Sequence, residues 1–483
     1  MVKKTDLKRL SPWEWQIPRE FRADMRVPAR VYMSEELLDA ALGDLALEQL
    51  INTATLPGIV QYALAMPDMH QGYGFPIGGI VATALPDGVI SPGGVGYDIN
   101  CGVRLLRTGI QADALQPFME RLMTALFQSV ASGVGSSGAL RLNARQLEMV
   151  LHQGAAWAVE QGYGLHDDLV CAEDNGRLAD TDAAALSPRA RERGLDQIGS
   201  LGSGNHFLEI DRVSELYDAR AAAAYGLQAG EAVVWIHCGS RGLGHQVCTD
   251  AVREMQTAVT RYGITIPDRE LVCAPFSSPE AQRYYHAMCA AANYAWANRQ
   301  MITHLVRQTF ERELPASLCQ NPPGLVYDVC HNIAKVETHL VDGRPQALCV
   351  HRKGATRAFG PSREEVPARY RAVGQPVLIP GNMQAGSFVL AGTDAALAAT
   401  FGSSCHGAGR ALSRHEAKRR VQGRDLKAGL ESDQNTVRAG SLSGLAEEAP
   451  LAYKDVEQVV RVTHESGLAT RVARTVPLGV IKG

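Results

Sequence analysis

The sequence predicts a mixed α+β fold in which helices pack around a smaller set of strands. Five segments carry helical periodicity and good helix formers, and three short β-branched runs each end at a histidine. The two kinds of segment do not alternate in the regular βαβα rhythm of a parallel doubly wound sheet.

Taken along the chain, helical patterns cover 112–132 and 142–160. Between them Gly133 to Gly138 (Gly-Val-Gly-Ser-Ser-Gly) predicts a flexible loop. A strand over 232–236 ends at His237, and helices follow over 245–262 and 279–314. Strands over 325–330 and 348–350 end at His331 and His351, and a last helix covers 454–462. A strand that delivers a histidine at its end aims that side chain from a rigid frame into a pocket.

Composition narrows the class. The chain has 483 residues, 46% hydrophobic, 20% charged and 6% aromatic, which is the make-up of a globular protein with a large core and excludes collagen, coiled-coil and disordered readings. The length admits about two to four domains. No Pro/Ser-rich linker, internal repeat or low-complexity tract cuts the chain, and the reactive residues run from 68 to 406, so one catalytic domain over 1–483 is expected. The stretch 163–194, whose core is rich in Asp, Arg and Ala, is the candidate peripheral subregion.

The 48 Lys and Arg against 51 Asp and Glu give a formal charge of −3, so a polyanion must meet a local patch and not a global basic field. The first residues are basic but continue through Glu14, Pro18 and Arg19 without an apolar core, which predicts no signal peptide. No run approaches the ~18 apolar residues of a membrane helix. Ten cysteines without a CxxC pair predict reduced thiols and a cytoplasmic location.

The chemistry concentrates around histidines. His70, His206, His237, His331, His351 and His406 each lie in a segment dense in Gly, Asn or Ser, and Asp98-Ile99-Asn100-Cys101-Gly102 follows Gly93-Gly94-Val95-Gly96. Glycine lets backbone N–H groups approach a ligand but weakens regular structure, so this company suits a site better than a core. For any one histidine a satisfied loop residue is an equally good reading; six recurrences favour a site. Asp98 and Cys101 offer a hard oxygen and a soft thiolate three residues apart, and imidazole suits Zn, Mn, Fe or Ni. One thiolate can bridge two ions about 3.5–4 Å apart for phosphoryl chemistry. The plain alternative for Cys101 is a small buried hydrophobe. There is no Gly-Lys dipeptide, no Lys-x-Asp-Gly and no His-Glu-x-x-His, which excludes a Walker A loop, the familiar lysine nucleophile of adenylating ligases and a zincin helix.

Seven segments, Pro67 to Gly79, Asp98 to Gly102, Gly202 to Glu209, His237 to Gly242, His331 to Lys335, His351 to Phe359 and Cys405 to Arg410, together resemble the RtcB family of RNA-splicing ligases. The likeness runs in order from near residue 20 to Lys482. It implies an RtcB-like α+β fold with central strands carrying the metal site and helices around them. The family joins RNA bearing a 3′-phosphate or 2′,3′-cyclic phosphate to a 5′-hydroxyl end in tRNA splicing or RNA repair, with GTP and two Mn2+ ions. The resemblance implies that Asp98, Cys101 and His206 hold one ion and Cys101, His237 and His331 the other, and that His406 becomes guanylylated. It implies a nucleotide pocket of Asn205, His206, Phe207, Leu208, Glu209, His331, Asn332, Pro380, Gly381, Asn382, Met383, Ser387, His406, Gly407, Ala408, Gly409 and Lys482, with Asp68, Lys353 and Tyr453 near it. Glu209 and Lys482 have the chemistry to read guanine, and Arg410 is placed to stabilise phosphate charge.

The loop Pro380-Gly381-Asn382-Met383-Gln384 departs from the family's Pro-Gly-Ser-Met-Gly; Asn382 keeps hydrogen-bonding capacity while Gln384 gives up a glycine's freedom. The basic runs 189–193 and 414–420 are candidate RNA rims, or solvated helix faces. Archease is a partner that some family members use. Two other readings of the same residues are a metal-dependent phosphodiesterase or phosphatase and a non-catalytic RNA-binding subunit. The glycine-flanked His406 speaks against the first, and the full set of ligands against the second.

Overall fold

Two mixed sheets form the frame of the computed structural model, which describes residues 2–133, 135–433 and 435–483. The first has seven strands in the order Lys8–Ser11, Glu14–Ile17, Ala29–Tyr32, Ile59–His70, Ile77–Ala84, Arg344–Lys353 and Asn332–Val341. The second has eight. Its order is Gly324–Cys330, Gly102–Gln111, Glu231–Cys238, Phe207–Leu216, Ala469–Lys482, Gly386–Gly392 and Pro376–Asn382, with Thr436–Ala439 running parallel beside the end of Ala469–Lys482. His331 is the joint where Gly324–Cys330 of one sheet hands over to Asn332–Val341 of the other. The α+β architecture predicted from the sequence is thus present, with helices packed about the sheets.

The Val-Val-Trp-Ile run of Glu231–Cys238 is buried at every position, as a strand covered on both faces requires. Its neighbours align so that Val329, Val103, His237, Phe207 and Lys482 form one row across the second sheet. Directly opposed residues of antiparallel strands share a face. His237, Phe207 and Lys482 therefore emerge together, at the edge where Cys101, His206 and His331 flank their strands.

Behind this edge runs the helix Pro279–Glu313, capped by Ser278, which accepts the Ala281 N–H at 3.3 Å. Its run Ala290–Ala292 allows close packing, and Arg299 reaches from it into the sheet. The Arg299 guanidinium donates at 2.8 Å to the carbonyls of Asn100 and Cys238 and to Asp328, which also accepts from Arg104 at 2.7 Å. These three charged side chains are wholly buried. One helix thereby fixes the backbone on which both Cys101 and His237 stand.

Several boundaries differ from the sequence pattern. The 112–132 helix is split into Ala112–Leu115, a 3-10 turn Gln116–Phe118 and Met119–Ser129, because Pro117 lacks an N–H for a helical bond. The 142–160 helix breaks into Ala144–Gln153 and Ala155–Glu160 at Gly154, whose φ is +59°. The helix predicted from 245 begins at Arg241; Gly244 is accommodated there because any Cβ would meet the Ser240 hydroxyl at 1.8 Å. The short run 348–350 belongs to the longer strand Arg344–Lys353.

Within 163–194, Asp168 accepts two bonds from Arg307 at 2.6 and 2.7 Å, and Glu173 and Asp174 meet Lys335 and Arg357 under the sheets. Val134, in the predicted Gly133 to Gly138 loop, lies outside the described residues. Among the described residues no helix is long and apolar enough to cross a membrane.

Candidate active site

Cys101 is the hub of two donor sets, Asp98–Cys101–His206 and Cys101–His237–His331, each gathered within 4.8 Å. Its Sγ lies 3.4 Å from His206 Nε2 and 3.2 Å from His237 Nε2, and the His237 and His331 Nε2 atoms are 3.2 Å apart. His206 Nδ1 faces the Leu201 carbonyl at 2.9 Å, and a proton donated there leaves the Nε2 lone pair 2.8 Å from Asp98 Oδ2. Two acceptors this close need a cation or a proton between them.

The electrostatics agree with that reading. Burial depresses the His206 imidazolium, but Cys101, Cys238 and Asp98 outweigh it and hold His206 well above the ordinary histidine value. Burial first, then His206 and Lys482, keeps His237 neutral, and burial with His406 and His237 does the same for His331. Burial and then Asp98 push the Cys101 thiol up to about 12, so its thiolate needs a metal beside it. A carboxylate, a bridging sulfur and three imidazoles in this arrangement fit a pair of borderline divalent ions.

Next to this cluster the His406 ring stands 4.7 Å from that of His331. Asp68 Oδ2 accepts from His406 Nδ1 at 2.6 Å, from the His406 backbone N–H at 3.0 Å and from that of Gly407 at 3.3 Å. The ring is thereby fixed with Nε2 free of the carboxylate, the orientation a nitrogen nucleophile requires. The loop carrying it passes so close to Asp68 that a Cβ on Gly409 would meet the Asp68 carbonyl at 2.2 Å.

A cavity of about 250 Å3 extends from the cluster. It is lined by Asp98, Cys101, His237 and His331 on one side and by Asn205, Phe207, Glu209, Asn332, Pro380 to Met383, His406 to Gly409, Tyr453 and Lys482 on the other. Burial and then Asp211 push the Glu209 carboxyl up to about 8 against the pull of Lys482. Burial pushes Asp211 up to about 7, although Thr475 donates to it at 2.6 Å. Asn382 Oδ1 accepts the N–H groups of Gln384 and Ala385 at 3.0 and 2.8 Å, so Asn382 closes its own loop.

Three of the expected pocket residues, His206, Leu208 and Ser387, do not line it. Leu208 lies between Phe207 and Glu209 and points into the core beneath the sheet, as strand alternation dictates. Ser387 acts one layer back, accepting the Gly381 N–H at 3.2 Å. His206 faces a second cleft of about 500 Å3 that shares Asp98, Asn205 and Arg414 with the first and adds Arg193, Arg241 and His245. From the two basic runs only Arg193 and Arg414 reach this cleft; Lys418 pairs with Glu447 at 3.0 Å and Arg420 with Glu416 at 2.7 Å, as on a solvated helix face.

Arg410 lines the cavity, and its guanidinium donates to both Glu448 oxygens at 3.2 Å and to the carbonyls of Glu447 and Leu412 at 2.8 and 3.0 Å. Glu448 also binds Arg414 and the Tyr453 hydroxyl and lines the cavity. No local sequence feature marks it. His351 is a structural residue, held by the Val81 carbonyl and the Ser91 N–H at 3.2 Å each.

Comparison with known proteins places the same residues in a wider set. A family model described as "tRNA-splicing ligase RtcB" matches residues 49–483. A protein of Archaeoglobus fulgidus with that name is 52% identical over 477 residues, 99% of both chains. One of Thermococcus kodakarensis, with the same name, is 54% identical over 477 residues and 99% of both. A Mycobacterium tuberculosis protein named "RNA-splicing ligase RtcB" is 54% identical over 438 residues, 90% of this chain and 100% of the other.

Proposed function

The chain belongs to the RtcB family, and we propose that it is an RNA ligase that uses GTP and manganese to join 3′-phosphate or 2′,3′-cyclic phosphate ends to 5′-hydroxyl ends. The observation that carries this reading is the His406 ring held by Asp68 at 2.6 Å beside the two donor sets that share Cys101. Asp98, Cys101 and His206 would hold one manganese ion and Cys101, His237 and His331 the other; bound there, the ions supply Lewis-acid neutralisation of phosphate charge.

Asp68 keeps the proton of His406 on Nδ1, so Nε2 presents its lone pair to the α-phosphorus of GTP. The N–P bond forms as the bond to pyrophosphate breaks, leaving GMP on His406. An RNA 3′-phosphate oxygen then displaces His406 from the guanylyl phosphorus, and a 5′-hydroxyl in turn displaces GMP, closing the phosphodiester. A cyclic phosphate must first be opened by water. Glu209 and Lys482, which line the same cavity, offer an acceptor for the guanine N1–H and N2–H2 and a donor for its O6. The small residues Gly407 to Gly409 let backbone N–H groups approach the phosphates.

The second cleft suits the RNA. Arg193 and Arg241 line it without an ion-pair partner among the described residues, and it meets the nucleotide cavity at Asp98, Asn205 and Arg414. Incubation of the protein with α-labelled GTP and manganese tests nucleotide, metal and nucleophile together. Covalent label from GTP, and weaker label from α-labelled ATP, is expected. Joining of 3′-phosphate RNA with no labelled protein under any metal would end this reading.

A further inference from the structure

Lys454 belongs to neither donor set and is not itself one of the residues lining the cavity, yet it joins the two loops that bring Asp68 and His406 together. Its ammonium donates to the carbonyls of Pro67, at 3.2 Å, and Met69, the two residues on either side of Asp68. Its backbone N–H donates to the Gly409 carbonyl at 2.9 Å, on the loop that carries His406. Around it the segments 410–412 and 452–453 are laced together: Ala411 and Leu412 donate to the Ala452 carbonyl at 2.8 and 3.2 Å, and Arg410 bridges to Tyr453.

The charge of Lys454 is unusual for such a place. It forms no ion pair within 4 Å among the described residues, and burial lowers its pKa to about 8 against the pull of Asp68 and Asp44. The ammonium binds the peptide carbonyls flanking Asp68 and makes no hydrogen bond to its carboxylate, whose Oδ2 faces His406. Asp68 Oδ2 must meet three N–H groups at once, at 2.6, 3.0 and 3.3 Å, while Oδ1 is buried without a partner. A carboxylate with that many simultaneous bonds tolerates little rotation of its backbone, and hydrogen-bond strength falls steeply as the angle opens. A cation that fixes the peptides before and after it controls that rotation directly.

We propose that Lys454 is a positioning residue for the Asp68–His406 pair, clamping the Pro67–Met69 backbone against the Gly409 loop so that Asp68 holds the proton on His406 Nδ1. The inference adds to the proposed function a group outside the cavity, and it is tested without metal or nucleotide. In protein carrying 15N-labelled histidine, the His406 resonances are assigned by their loss in His406→Ala, and they report which ring nitrogen bears the proton. The native protein is expected to show a single Nδ1–H tautomer. Lys454→Met, which keeps the length of the stem and removes the charge, is expected to show a mixture of tautomers, and Lys454→Gln, with one amide donor, a smaller admixture.

A double-mutant cycle with Asp68→Asn separates positioning from general support. If Lys454 acts through Asp68, Lys454→Met changes the His406 tautomer in the native background and not further in the Asp68→Asn background. In labelling by α-labelled GTP, the rate should fall by about ten- to a hundredfold in Lys454→Met with little change in KM for GTP, and fall no further in the double variant. An unchanged His406 tautomer in folded Lys454→Met and Lys454→Gln overturns the proposal, as does strict additivity in the cycle. A native protein that shows the Nδ1–H tautomer but takes no label overturns the proposed function while leaving the clamp standing.

Discussion

The Glu209–Asp211 pair makes a quantitative prediction about nucleotide binding. Two residues apart on one strand, both carboxyls are buried, with Lys482 the cation that acts on Glu209. With Glu209 pushed up to about 8 from an ordinary 4.5, its carboxyl holds a proton at neutral pH. Guanine offers donors at N1 and N2, so it needs the carboxylate and must expel that proton. At pH 7 about one pocket in ten is already ionised, a cost near 1.4 kcal/mol, and affinity should rise about 50-fold from pH 6 to pH 8 before levelling. The assay is calorimetric titration with guanosine, which carries no titrating phosphate. Asp211→Asn removes the neighbouring charge, so the rise should shift to lower pH. Affinity that is flat across this range, or that strengthens on acidification, would refute the reasoning. The folding sign follows from the same raised values: the folded pair keeps protons that the unfolded chain has released. Its stabilising contribution is therefore complete below about pH 4 and is lost as pH rises through 7 to 8.

Three further outcomes are expected. Asp328→Asn leaves the buried Arg104 and Arg299 without their counter-charge and should cost about 3–5 kcal/mol in denaturant unfolding; a cost below about 1 kcal/mol would show that the guanidinium ions are satisfied by carbonyls alone. Cys101→Ser replaces the shared sulfur by a poorly ligating hydroxyl, so metal content measured by mass spectrometry should fall at both positions; full retention of both ions would rule out a bridging role. His406→Ala should abolish GMP labelling and the joining of 3′-phosphate RNA. It should spare the joining of RNA already guanylylated at its 3′ end, and the native adduct should be cleaved by mild acid and survive base, as a phosphoramidate does. An acid-labile adduct on the alanine variant would place the nucleophile elsewhere.

The sequence by itself determined the local chemistry and the longest elements of this protein. The 279–314 pattern and the β-branched run before His237 reappear as Pro279–Glu313 and Glu231–Cys238, since periodicity and side-chain shape act over a few residues. The resemblance named the donor sets that the fold draws together around Cys101. Local pattern could not separate His351 from His406. Both sit beside Gly and Arg in the chain, but one is tied off between Val81 and Ser91 and the other is aimed by Asp68, 338 residues away. Glu448, Arg299 and Lys454 were likewise invisible, because an isolated charge in a helix or loop has no signature until its partner is known. Leu208 and Ser387 were legible as members of the right segments, while the pleat and the loop decided that their side chains turn away from the cavity. Tertiary structure alone set the row Val329–Val103–His237–Phe207–Lys482, because strand register is fixed by pairing between segments far apart in sequence and by which face is buried.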